Sequence, residues 1–333
     1  MTPTMRPMVA TRPMSPELHG FAVVDKAAGW TSHDVVAKAR GILRTRKIGH
    51  AGTLDPDATG VLVLGVGHAT RLLKYCTAME KIYVGEIVFG VETTTLDASG
   101  EVTAHHDMSS LTPAAVRATA ESFVGDIEQI PPMVSAVKVG GKRLHELARQ
   151  GIEIERAPRP VHVARFEVEP MAPDAQGHPV YRAEVACSSG TYIRTLAADL
   201  GRALGGGAHL RALRRTAVGG FSVADAVGID RLQSDHVMSP ATGLAHFGIR
   251  RVDDELAALV ANGRVLPRER LGVDGDGPWP LCDTAGRLLA VYESHRDGTA
   301  KPSVVFPPTP PADAAMMDHG NATKHRGDAG VAS

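Results

Sequence analysis

The sequence has little of what builds extracellular, metal-stapled or membrane-spanning folds. It holds three cysteines, Cys76, Cys187 and Cys282, far apart and without a CxxC pair, which argues against a disulfide framework and a structural zinc site. No apolar run approaches the ~20 residues needed to cross a bilayer, and residues 1–18 lack the apolar segment of a secretory signal. The expectation is a protein that stays in a reducing cytoplasm, away from the membrane. There is no GxxxxGKS or GxxxxGKT, no HExxH, and no complete GxGxxG; GVGHAT at 65–70 lacks the final glycine. No nucleotide- or zinc-dependent chemistry is announced. An excess of one charge is missing too. The 36 Lys+Arg and 37 Asp+Glu leave a net charge of −1, so affinity for a polyanion must come from local clusters.

What is present is enough for a sizeable core. A chain of 333 residues with 43% hydrophobic content suggests two domains. Residues 1–18 mix Pro, Thr, Met and Arg without apolar periodicity, and 307–333 are Pro-rich and then polar. Both read as disordered, a leader and a tail. Between them we expect a catalytic domain over 19–248 and a small β-rich module over 249–306. The apolar patterns predict strands at Phe21–Val24, Val61–Leu64, Ile82–Phe89, Val161–Val168 and Tyr181–Cys187. They predict helices after a Thr31 or Ser32 cap and near 113–123, 142–150 and 192–204. Residues 46–60, with Gly52, Pro56 and Gly60, read as a loop. The C-terminal segment IRRVDDELAALVANGRVL, 249–266, reads as a helix running into a glycine turn, followed by short segments ending in the strands LLAVYES and SVVF. No repeat or heptad pattern occurs. The fold class is mixed α/β, of the α+β kind.

The densest chemistry lies at Arg44–Gly60, RTRKIGHAGTLDPDATG, with three cations, one histidine, two carboxylates and three glycines. Arg40, Arg44, Arg46 and Lys47 can contact phosphates; equally, they can be solvated cations complementing a helix end. Asp55 precedes Pro56, which biases its backbone toward extended conformations and presents it rather than absorbing it into a helix. Near a cation such as Arg194 it would stay ionised and available as a nucleophile. A turn residue bonding its own backbone is the plainer alternative. Composition leaves both open.

The stretch GHAGTLDPDATG resembles the active-site motif of the TruB family of tRNA pseudouridine synthases. The resemblance continues in VVDKAAGWTSHDVV, KIYVGEIVFGVETTTLD, QIPPMVSAVKVGGKRLHELARQGIEIERAPRPVHV, CSSGTYIRTLAADLG and LRALRRTAVGGF, in family order. It implies the pseudouridine synthase fold, with a central, mostly antiparallel sheet and a C-terminal module similar to PUA-type RNA-binding domains. It also implies isomerisation of uridine 55 in the tRNA T-loop without a cofactor or an obligatory protein partner, by a monomer. By motif, Asp55 is the nucleophile, Tyr83 the tyrosine packed on the target base, and Arg194 the arginine paired with the nucleophile. His50 fills the space that the base leaves. Lys26, Arg46, Lys47, Tyr192, Leu213 and Arg214 are candidate RNA contacts, Leu213 as an apolar wall under the base. Ala27 stands where the family's Lys-Pro turn has proline. Taken singly, His50, Tyr83 and Arg194 could each be ordinary structural residues; together they point to one site. A base inside folded RNA must be extruded to reach a carboxylate, and Tyr83 and Leu213 suit the pocket that receives it; recognition would otherwise rest on RNA shape and on phosphate contacts that the clusters Arg44–Lys47 and Arg211–Arg215 can provide. Two rival readings are a non-catalytic RNA-binding protein on the same fold and a hydrolase using Asp55 and Asp57 as paired acids.

Overall fold

The computed structural model describes residues 18–135, 138–139, 141–144, 150–152 and 154–307. The chain divides into two compact units, Met1–His246 and Phe247–Ser333. The expected leader falls outside the described residues except Leu18, and the expected tail except Pro307.

In the first unit, β1 (Gly20–Lys26) reads GFAVVDK and is buried almost throughout, as a continuous apolar run requires of a strand covered on both faces. Helix α1 (Ser32–Ile42) starts at a capping box. The Thr31 side chain accepts from the Asp34 amide, and the Asp34 carboxylate accepts from the Thr31 amide, satisfying two N–H groups that a helix start leaves open. Val35, Val36 and Ala39 bury its inner stripe. Strands β2 (Ile48–Ala51) and β3 (Thr59–Val66) follow. Leu62 and Leu64 of β3 pack under α1, each buried side chain worth roughly 1.5–3 kcal/mol. A short helix α2 (Leu73–Ala78) leads to β4 (Lys81–Phe89). A hairpin of β5 (Val91–Thr93) and β6 (Val102–His105), helix α3 (Pro113–Glu121), and β7 (Gly125–Gln129) come next. They precede a two-residue hairpin, β8 (Lys138–Val139) with β9 (Lys142–Arg143). The long strands β10 (Arg159–Pro170) and β11 (Val180–Cys187), helix α4 (Ile193–Ala203), β12 (Ala208–Val218), β13 (Phe221–Ser222) and β14 (Val227–Gly228) complete the set.

Ten of these strands form one sheet in the order β14-β1-β3-β12-β4-β11-β10-β7, with β13 on β12 and β2 on β3. All its pairings are antiparallel except β1–β14 and β3–β12, so the expected mostly antiparallel sheet is found. β12 is the seam. It joins β3 on one side and β4 on the other, linking the N-terminal half of the sheet to the half built from β4, β11, β10 and β7. At that seam Gly60 has φ 101°, and a Cβ there would lie 2.1 Å from the Arg215 carbonyl oxygen. Only glycine permits this approach.

The second unit holds β15 (Arg250–Arg251), helix α5 (Asp254–Ala261), β16 (Leu266–Pro267), β17 (Trp279–Cys282), β18 (Leu288–Ser294) and β19 (Thr299–Val305). Its sheet runs β15-β17-β18-β19-β16 around a core that includes Tyr292 and Leu281.

Two expectations need correction. Residues 48–51 are strand, not loop, because β3 is long enough to pair on both flanks and Ile48 and Ala51 are buried. Lys142–Arg143 is a strand where a helix near 142–150 was expected; 145–149 lie outside the described residues. Neither α2 nor β12 was anticipated.

Candidate active site

Asp55 lies on the loop between β2 and β3, and that loop is pinned from below. The Leu54 amide donates to Ser32 Oγ at 2.9 Å, the Gly29 amide to the Pro56 carbonyl at 3.0 Å, and the Ala58 amide to the Asp55 carbonyl at 3.1 Å. Lys26 completes the clamp. Its Nζ donates to the carbonyls of Pro56 at 2.7 Å, Trp30 at 2.6 Å and Ala27 at 3.0 Å. All three ammonium protons are thus used, and the residue is 1% exposed. This corrects the expectation of an RNA contact: Lys26 is a buried clamp that ties the β1–α1 turn to the loop carrying Asp55. Burial pulls its pKa down to about 8, against the opposing pull of Asp57 and Asp55. The clamp also fixes the turn in which Ala27 replaces proline.

Arg194 comes from the first turn of α4. The helix's N-cap residue, Tyr192, is held by Gln129, which accepts from the Tyr192 amide at 2.9 Å and donates to the Tyr192 carbonyl at 3.3 Å. The Arg194 guanidinium meets Asp55 through two nitrogens, Nε to Oδ2 at 3.1 Å and Nη2 to Oδ1 at 3.2 Å. This planar fork fixes orientation as well as charge. Nη1 reaches Asp97 Oδ2 at 3.3 Å and the Thr95 carbonyl at 3.1 Å, and Nη2 also donates to the Val134 carbonyl at 2.9 Å. The arginine side chain is 5% exposed, whereas Asp55 keeps 44% of its side-chain surface. The partner is therefore buried and the carboxylate is open. Burial pushes the Asp55 pKa above the ordinary carboxylate value, and the charge of Arg194 pulls against that push without cancelling it. The open face moderates the effect. Arg194 thus holds the carboxylate in place and lowers its pKa by less than burial raises it, so the net shift is upward, contrary to the simple expectation from a neighbouring cation.

Asp97 escaped the sequence reading. Its Oδ1 accepts from Thr95 Oγ1 at 2.6 Å, Ser99 Oγ at 2.6 Å and the Ser99 amide at 3.1 Å, leaving Oδ2 for Arg194. The run DASG signals an Asx turn of this kind, but nothing in it points to a distant arginine.

The cavity above Asp55 has a volume of about 240 Å³, a size suited to one heterocycle rather than a large ligand. Of the expected residues it gathers Asp55, Tyr83, Tyr192, Arg194 and Leu213. Tyr83 is half-buried, and burial raises its phenol pKa, so the ring stays neutral and available for packing. His50, Lys26, Arg46, Lys47 and Arg214 are not among the lining residues. His50 stands in β2, edge-on to His33 at 5.3 Å, with its pKa lowered chiefly by burial. Arg46 and Lys47 are exposed. Arg214 forms a two-pronged pair with Asp25 at 2.8 and 2.9 Å, so its charge is already partnered. Asp57 is exposed and does not line this cavity, though it borders a neighbouring one together with Asp55. Among the described residues no group of three or more His, Cys, Asp or Glu could hold a metal ion.

Residues 40–193 match the model of the TruB family pseudouridylate synthase N-terminal domain, and 194–251 that of the tRNA pseudouridylate synthase B C-terminal domain. The chain is 48% identical over 297 residues to a tRNA pseudouridine synthase B of Streptomyces coelicolor, covering 86% of this chain and 97% of that protein. It is 45% identical over 300 residues to one of Mycolicibacterium paratuberculosis, covering 89% and 100%. Among solved structures, it shares the fold of a chain in an H/ACA ribonucleoprotein bound to a substrate RNA containing 2′-deoxyuridine. That match has a TM-score of 0.63 at 20% identity and covers 90% of this chain and 93% of that one. A chain of a Cbf5-Nop10-Gar1 complex matches with a TM-score of 0.64 at 24% identity, covering 86% and 84%. With these family models spanning the residues that build the cavity, and relatives this similar over nearly their whole length, the chain belongs to the TruB family of pseudouridylate synthases.

Proposed function

We propose that this protein converts uridine 55 of the tRNA T-loop to pseudouridine, with Asp55 as the nucleophile and the target base flipped into the cavity beside Tyr83. The observation that carries this reading is the half-open Asp55 carboxylate gripped by buried Arg194 at the edge of a cavity sized for one heterocycle. The reaction breaks the bond from C1′ to N1 and remakes it to C5. It needs no redox or energy input, only a carboxylate to engage the nucleoside while the ring turns over. Tyr83, Tyr192 and Leu213 supply aromatic and apolar surface that offsets the stacking lost on extrusion. Arg44, Arg46 and Lys47 meet no carboxylate among the described residues and are the cations available to phosphates, so affinity should fall as salt rises. His50 occupies the space vacated in the loop. The second unit is proposed as a further RNA-binding module and the protein as a monomer.

The test is tritium release from unmodified tRNA labelled at uridine C5, run with chelator and without nucleotide. One equivalent of label should be released per tRNA, and the released position should map to the T-loop. A strict magnesium requirement with a prefolded stem-loop substrate would count against the cofactor-free reading.

The pH profile carries a further expectation. Asp55 must be ionised to act, and its pKa lies above the ordinary aspartate value. Single-turnover rates should therefore begin to fall at a higher pH than a free aspartate would dictate. The stability sign is opposite. Between the unfolded value of 3.8 and the raised folded value, the native state binds the proton better, so this group's contribution to stability declines as pH rises through that window.

A further inference from the structure

The floor of the cavity carries two cations that no carboxylate pairs with among the described residues. Lys81 opens β4 and is 4% exposed; Arg215 lies in β12 and is 1% exposed. Strand alternation places Lys81 on the same face as Tyr83, and Arg215 is the cross-strand neighbour of Tyr83. Both line the cavity that holds Asp55. Arg215 donates from Nε to the Val61 carbonyl at 2.8 Å and from Nη2 to the Gly52 carbonyl at 3.0 Å, and its side chain also bonds Tyr83. Lys81 donates to the carbonyls of Thr77 and Met79. Neither forms a salt bridge among the described residues. The nearby Cys76 and Cys187 thiols are held neutral, pushed by burial to about 12 and about 11. This corrects the expectation that the Arg211–Arg215 cluster serves phosphates. Arg211 is paired with Glu86 at 2.8 Å, Arg214 with Asp25, and Arg215 is inside.

Burying a charge without a counter-ion costs several kcal/mol per ion. Two such cations under one cavity are accounted for when negative charge arises in that cavity during the reaction. Burial, with Arg215 adding repulsion, draws the Lys81 pKa down to about 8, which still leaves it mostly protonated near neutral pH.

We propose that Lys81 and Arg215 take up the negative charge of the detached uracil ring. The proposal rests on the pseudouridylation reading above. When the C1′–N1 bond breaks, its electron pair passes to the ring and spreads over N1, O2 and O4, while Asp55 engages the electron-poor sugar. The charge is discharged when C5 bonds to C1′ and displaces the Asp55 carboxylate; the C5 proton then leaves to solvent and N1 takes up a proton, so the isomerisation needs no further reactant. Fixed cations in a water-poor cavity act strongly on such developing charge. They also keep the freed ring from escaping while it turns between Tyr83 and Leu213.

The experiment compares uridine with 5-fluorouridine at the target position of a T-arm stem-loop, following N-glycoside loss in single turnovers of wild type, Lys81→Gln and Arg215→Gln. Fluorine withdraws electron density and makes the ring a better leaving group that needs less help. Each variant should lose about 10²–10³-fold on uridine. The ratio of fluorouridine to uridine rates should rise about tenfold or more, as for other losses of a charge-stabilising donor. That ratio does not depend on how much of a preparation is folded. Equal loss on both substrates, or no conversion of either, in both variants would make the two residues structural and overturn the proposal while leaving the reaction intact. A wild-type enzyme that converts neither substrate would overturn the reaction itself, and the proposal with it.

Discussion

Asp55→Asn should abolish conversion of the target uridine while leaving RNA affinity and folding nearly unchanged. The amide has almost the size of the carboxylate but is a far poorer nucleophile. Arg194 would keep Asp97 and the Thr95 and Val134 carbonyls, so no buried charge is stranded. The expected loss in single-turnover rate is at least about 10⁴-fold, the scale met when a nucleophile is removed. Asp57→Asn is the matched control. Asp57 is exposed and outside the cavity, so its loss should change the rate by no more than about twofold, as for a typical surface substitution. Rate and binding constants for both variants decide the matter. A fully active Asp55→Asn enzyme would remove the nucleophile assignment, and equal loss in both would revive the paired-acid reading.

Arg194→Ala should damage turnover far more than binding. The guanidinium is buried and faces Asp55 through two of its nitrogens, so under the proposed reaction its work is to hold the nucleophile in one pose. Misplacing a reacting group by about 1 Å costs on the order of 10²-fold. The substitution also strands Asp97 beside the carbonyls of Thr95 and Val134, breaking a largely buried network at a cost of about 3 kcal/mol. A melting temperature lower by roughly 5–10 °C should accompany the kinetic loss. Arg194→Lys restores the charge but not the fork, and should recover stability better than rate. If instead RNA affinity fell in step with turnover, the arginine would be a backbone ligand of the RNA and not the partner of the nucleophile.

The elements that pattern alone revealed are those in which one force dominates. β1, β3, β4, β10 and β11 are long apolar runs or alternations, and α1 has a capping residue before a stripe at helical spacing. β2 was hidden by Gly49 and Gly52, which read as loop until β3 is known to need a partner at Ile48–Ala51. β12 was hidden differently. Bulges between Leu210 and Ala212 and between Arg215 and Ala217 break its alternation, and three arginines within it resemble a solvated stretch. In the site, Asp55, Tyr83 and Arg194 were legible through the family motifs, since no spacing rule brings together residues 55, 83 and 194. Lys26 and Arg215 were misread for one shared reason: a buried cation whose protons are taken by carbonyls is rare enough that exposure is the natural assumption. Asp97 could not be found without the fold, because its role exists only where the β5–β6 hairpin meets α4.

The position of β12 also shapes the protein's synthesis. A nascent chain that has not yet reached Ala208 can fold β1 and β2 with β3 and β4 with β11 and β10, but β4 would keep a bare edge, and β3 an unpaired end at Thr59–Gly60, where the missing strand belongs. Open strand edges recruit other chains, and chains interrupted there should aggregate or fall to proteases rather than persist as partial enzymes. Leu213 and Arg215 arrive on that same strand, so the cavity closes only as the two half-sheets are sewn together. A ribosome product too short to be stable is therefore also too short to hold a base.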